Sequence, residues 1–158
     1  MIATLTGKLK IKLKNQIVID VNGVGYCLQV SKNTLDNIGE VDENVILNTD
    51  LQVRDDCILL YGFKFQSELN MFKLLQSIQG IGPRAALAVL SALTVEQIIL
   101  AIKSSDKSAF QRADGIGQRV ATRIVSELQE KIDEFFSSQD IIYELALNFL
   151  KLKLTIYS

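Results

Sequence analysis

Two short phrases hold the residues best suited to chemistry: Gly80-Ile81-Gly82-Pro83-Arg84 and, 35 residues later, Gly115-Ile116-Gly117-Gln118-Arg119. Each is a small-residue turn that runs into an apolar stretch of helical period. A helix starting on such a turn offers backbone N–H groups without intrahelical partners and the positive end of its dipole, and both favour a phosphate. The glycines permit the tight turn and let the main chain come within hydrogen-bond reach of a phosphate oxygen. Arg84, Arg119 and Arg123, at or near the helix starts, can add charge-assisted bonds. Ile81 and Ile116 read as plugs into the local core. The phrases belong to a longer duplication, because residues 79–93 (QGIGPRAALAVLSAL) lie over 114–128 (DGIGQRVATRIVSEL) with Gly, Ile, Gly, Arg, Ala, Ser and Leu matched. Two phosphate sites in one chain point to a nucleic-acid backbone, bound without regard to base sequence and with steep salt dependence.

Little else in the chain supports catalysis. Among 158 residues there is no His, which removes the commonest general base and the commonest metal ligand. No GxxxxGK[ST] loop, GxSxG elbow or CxxC pair occurs. The expectation is therefore a protein with no catalytic residue, no metal and no cofactor. Cys27 and Cys57 sit in apolar runs and read as reduced core thiols. The net charge of −1 hides a regional split: residues 1–62 hold six basic and eight acidic side chains, residues 63–137 nine and eight. A screening length of about 8 Å lets a basic face coexist with an acidic one.

The elements that must position the glycine turns follow from hydrophobic period. Up to Tyr61-Gly62-Phe63 the period is two. Lys8 to Lys14 alternates strictly, with its four lysines on one strand face. Ile17 to Val21 follows, Asn22-Gly23 offers a hairpin turn, and Tyr26 to Val30, Val45 to Val53 and Cys57 to Tyr61 complete a set of short strands. Such a set in about 60 residues predicts a small barrel of OB type. From Phe65 the period is helical. Leu69, Phe72, Leu75 and Ile78 share a stripe, Pro83 suits a first helical position, and Thr94 to Gln97 reads as a capping box. A short helix near Lys107 to Gln111 precedes a long one from Gln118 to about Phe136, with Val120, Ile124, Leu128, Ile132 and Phe135 on its buried side. The fold class is α+β: a barrel over 1–63, then an all-α domain over 64–136 with two helix-hairpin-helix units and five helices.

The strand pair between Leu51 and Phe63 carries Val53-Arg54-Asp55-Asp56 at its turn and runs into Leu59-Leu60-Tyr61-Gly62-Phe63. Together with the barrel and the paired GIG turns, this segment closely resembles the RuvA family of Holliday-junction branch-migration subunits, over residues 1 to about 136. The resemblance implies a non-catalytic DNA-binding subunit that assembles as a homotetramer, with an octamer as the alternative. It would hold four-way junction DNA open, with the RuvB hexameric motor supplying ATP hydrolysis and the RuvC resolvase as a further partner. It implies DNA contacts at Gly80, Ile81, Gly82, Arg84, Gly115, Ile116, Gly117, Gln118, Arg119 and Arg123, and an acidic pin at Asp55 and Asp56. Gln118 stands where the family usually has a basic residue.

Residues 137–158 read as a short remnant tail in place of the family's motor-binding domain: an amphipathic helix over Asp140 to Leu150, then strand-like alternation from Lys151 to Tyr157. The opening of the chain and the absence of a long apolar run imply a cytoplasmic protein without a membrane span. Two other classes compete. A helix-hairpin-helix glycosylase or lyase would need a catalytic Lys or Asp in a pocket, and none stands out. A general single-strand binder of OB type would need interleaved aromatics, which residues 1–62 lack.

Overall fold

A computed structural model describes residues 1–135, 150 and 152–155. Five strands, β1 (Thr4–Lys12), β2 (Gln16–Val21), β3 (Val24–Val30), β4 (Asn44–Arg54) and β5 (Cys57–Phe63), close into a barrel in the order β1-β2-β3-β5-β4. All pairings are antiparallel except β3 with β5. The β2–β3 hairpin turns at Asn22 and Gly23, whose φ angles of 53° and 92° are the left-handed pair that an Asn-Gly turn favours. Leu9, Ile17, Ile19, Leu28, Val30 and Leu47 fill the barrel. At Gly7 the chain passes so close to β2 that a β-carbon would collide with the Asp20 carbonyl oxygen and the Ile19 side chain.

The lysine-rich strand departs from its alternation. A register break between Leu9 and Ile11 interrupts the β1–β2 pairing. Leu9 is buried while Ile11 and Leu13 are exposed, and β1 ends at Lys12. The four lysines do not form one uniform face: Lys10 pairs with Asp42, and Lys12 donates to the Gly39 carbonyl. The cysteines are free, as expected, but depart from the expected core position, since both are exposed. Cys27 alternates with the buried Leu28 and so faces outward, and Cys57 begins β5 opposite Arg54 at the hairpin end.

A short helix absent from the sequence expectation, α1 (Lys32–Asn37), follows β3, capped by Ser31. Five helices then form the second core: α2 (Gln66–Gln76), α3 (Pro83–Ala92), α4 (Val95–Lys103), α5 (Lys107–Phe110) and α6 (Gln118–Phe135). Leu69, Phe72, Leu75 and Ile78 are buried together, as their stripe predicts, and Ile124, Leu128 and Ile132 bury one side of α6, with Val120 partly buried. The Phe135 side chain and Phe136 lie outside the described residues, as does most of the expected 140–150 helix. Residues 152–155 are helical, not the strand that the 151–157 alternation suggested. Thr94 and Gln97 form the reciprocal capping box. Thr94→Ala is expected to lower unfolding free energy by about 1 kcal/mol, measured by urea titration.

The two cores meet at β5 and α1. Tyr61 and Phe63 stack obliquely on Phe72, at centroid distances of 5.0 and 4.8 Å. Burial raises the Tyr61 hydroxyl pKa, partly offset by the nearby Arg54 charge. Beside this contact Glu68 is fully buried. Its carboxylate accepts from the Ser31 hydroxyl, from Asn33 Nδ2 at 2.7 Å and from the Thr34 hydroxyl at 2.9 Å. The Thr34 hydroxyl in turn accepts from the Lys64 amide, and the Lys32 amide donates to Ser91 Oγ on α3. The barrel is thereby fastened to the helices.

Candidate nucleic-acid interface

The duplicated phrases fold into duplicated geometry. In the first turn the Ile81 amide donates to the Ile78 carbonyl at 3.1 Å and the Ala86 amide to the Gly82 carbonyl at 3.0 Å. In the second, Ile116 donates to Ala113 at 3.2 Å and Ala121 to Gly117 at 3.0 Å. Gly80 and Gly115 take the left-handed φ values of 92° and 81° that turn the chain back on itself. Ile81 and Ile116 are buried, which makes them plugs that anchor each turn from inside. Gly82 and Gly117 precede the first residues of α3 and α6, and the first i→i−4 bonds begin at Ala86 and Ala121. The helices therefore leave the amides of Arg84, Ala85, Arg119 and Val120 without intrahelical acceptors.

Gly82 and Gly117 are glycines for no internal reason. Gly82 sits at φ −91° and ψ −176°, which any residue adopts. A β-carbon there would meet only Arg54 Nη2, at 4.0 Å, and one on Gly117 would meet nothing within 4 Å. The room faces outward, and a helix N-terminus with open main chain suits an anion.

The arginines divide. Arg84 and Arg119 are exposed beside their helix starts, as is Gln118. Arg123 is half-buried: it reaches from α6 across to the first turn and donates from Nη1 to the Gln79 carbonyl at 3.0 Å. The side chain expected to serve the second hairpin thus braces the first. The short helix α5 is capped by Asp106, whose carboxylate accepts from the Ser108 hydroxyl and the Ala109 amide and is held below the usual carboxylate range, first by the Ser108 bond.

Asp55 and Asp56 form the exposed two-residue turn between β4 and β5, beyond the last paired residues Arg54 and Cys57. Just below them Val53 and Ile58 face each other across the ladder, each 68% exposed. Gln52 donates to Asp50 and to Gln76 Oε1 on α2, which fixes the hairpin's base to the helices. Sequence reasoning overlooked Arg54. The only available signal was a guanidinium adjoining two carboxylates at a turn, and its position beside Gly82 is tertiary. Among the described residues no single helix is long and apolar enough to cross a membrane.

The fold and the paired turns define a class: an OB-like barrel joined to a tandem helix-hairpin-helix unit. Family models agree, since residues 1–62 match the RuvA N-terminal domain and residues 72–130 the SAM-like helix-hairpin-helix tandem. The chain is 47% identical over 131 residues to the Holliday junction branch migration complex subunit RuvA of Zymomonas mobilis, covering 83% of this chain and 62% of the relative. The subunit of the same name from Acetivibrio thermocellus is 43% identical over 84% of this chain and 65% of its own length. That of Azorhizobium caulinodans is 41% identical over 92% and 71%. The chain belongs to the RuvA family, and it spans a little under two thirds of the first two of these relatives.

Proposed function

We propose that this protein is the non-catalytic DNA-binding subunit of a branch-migration machine, acting on four-way junctions in recombination and repair. The observation that carries the proposal is the pair of glycine turns with matching hydrogen bonds, each with unclaimed helix-start amides and outward room at its second glycine. The amides around Gly80, Gly82, Gly115 and Gly117 bind phosphate oxygens. Arg84, Arg119 and Gln118 reach the same backbone, Arg123 holds the first turn in shape, and Ile81 and Ile116 seat both turns. Residues 1–63 present the pin, and residues 64–136 grip the duplex arms. The assembly is a homotetramer in the cytoplasm, ATP hydrolysis belongs to the RuvB motor, and RuvC acts on the same junction.

The reading gives Asp55 and Asp56 a task. Fourfold assembly would gather eight carboxylates around the crossover. Each unit-charge pair about 10 Å apart repels by about 0.4 kcal/mol in water. Several such pairs disfavour stacked arms and keep phosphates out of the centre. Asp55→Asn combined with Asp56→Asn is expected to reduce the preference for a junction over linear duplex by about tenfold, roughly 1.4 kcal/mol. Gel-shift titrations of the two substrates measure it, alongside light scattering for the fourfold state. A native protein that binds duplex as tightly as an equally charged junction overturns the proposal.

A further inference from the structure

Arg54 is followed by two carboxylates, yet no ion pair within 4.0 Å joins it to either. The guanidinium turns instead toward the first hairpin, with Nη2 4.0 Å from the place a β-carbon would take on Gly82. Arg123 Nη1 lies 3.7 Å from the corresponding place on Gly80. Arg84 stands on the first turn of α3 itself. Two guanidinium groups, from the barrel and from α6, thus lie against the first turn, and a third arginine opens α3 at a helix start that already carries partial positive charge. Like charges drawn together at a solvent-open turn, with acidic side chains one residue away left unused, fit a site whose missing member is an anion. The second hairpin has no such company, since nothing lies within 4 Å of a β-carbon at Gly115 or Gly117.

Resting on the function proposed above, we infer that Arg54 is a further DNA-contact residue. With Arg84 and Arg123 it makes the first hairpin a composite phosphodiester clamp spanning barrel and helices, and the stronger of the two hairpins. A guanidinium suits this task because its planar donors engage two phosphate oxygens at once. The placement also joins attraction to repulsion along β4. The residue that holds a phosphate is followed directly by the two that repel phosphates, so a strand gripped at the hairpin is presented to the pin at a fixed distance.

The test is fluorescence anisotropy with a synthetic four-way junction across a salt series, on the native chain, Arg54→Gln, Arg54→Lys, Arg119→Gln and Lys103→Gln. Arg54→Gln is expected to weaken binding about five- to tenfold and to flatten the slope of log affinity against log salt by about one per engaged protomer. Arg54→Lys restores the slope but only part of the affinity, because an ammonium lacks the fork. Arg119→Gln costs less than Arg54→Gln, and Lys103→Gln, an exposed charge at the far end of α4, changes affinity less than twofold. Arg54→Gln behaving like Lys103→Gln overturns the inference. So does lost affinity with an unchanged slope, which marks a merely structural effect, and so does Arg119→Gln being the more costly. If the native chain itself shows no salt-dependent junction binding, the underlying function fails and the inference with it, and that result is recognisable without any variant.

Discussion

Gly82→Asp combined with Gly117→Asp is expected to leave the fold as stable as before while lowering affinity for a four-way junction by about 100-fold. The two halves of this result have separate causes. Asp is among the best residues for a helix N-cap, its carboxylate bonding to first-turn amides and favouring the positive dipole end. Gly82 already has the extended backbone that such a cap requires, and neither glycine has a neighbour that a small side chain would strike. Thermal midpoints should therefore hold or rise. Binding fails because each introduced carboxylate occupies the amides meant for a phosphate and adds a negative charge beside the DNA backbone. A tenfold loss per hairpin, about 1.4 kcal/mol, gives the combined figure. Thermal denaturation followed by circular dichroism reads the first half, and a junction titration at fixed salt reads the second. Undiminished binding by the folded double variant would falsify the main-chain phosphate site. Lost binding together with lost stability would mean that the glycines serve the fold.

Much of this arrangement was legible in the sequence. The tandem turns were visible because the same local chemistry occurs twice, and the buried plugs and helix starts followed from period and from Pro83. The helical stripe of α2 and the capping box at Thr94 are decided within one or two turns of chain, where spacing is reliable. The barrel was legible as a set of strands but less so in register. β1 pairs with β4 along one half and with β2 along the other, so its break at Leu9 answers to two partners, not to its own alternation. The outward cysteines follow the same lesson, since an apolar run does not reveal which of its members faces the core. What escaped was tertiary: α1 is too short to show a period, Arg123 and Arg54 reach a hairpin that neither belongs to, and Glu68 reads as an ordinary acidic residue in a first helical turn.

That last residue bears the second large prediction. Glu68→Ala is expected to lower unfolding free energy by about 3 kcal/mol, a substantial part of the roughly 5–15 kcal/mol typical of a domain. The loss comes less from the missing carboxylate than from the donors left behind. The Ser31 and Thr34 hydroxyls and the Asn33 amide all point at it, and two of these three residues are fully buried. Glu68→Gln keeps one acceptor but sets an amide N–H against one of those donors, so its cost should be intermediate, about 1–2 kcal/mol. Urea denaturation ranks the three proteins, and a change below about 1 kcal/mol for Glu68→Ala would show that the network is incidental. The consequence reaches the DNA. Asp55 and Asp56 ride on the barrel and the glycine turns on the helices, and the Glu68 cluster helps hold one against the other. At temperatures where Glu68→Ala remains folded, discrimination between junction and linear duplex should decline more than affinity for the duplex does, because on the proposed function duplex needs only the hairpins whereas the junction needs pin and hairpins in fixed register.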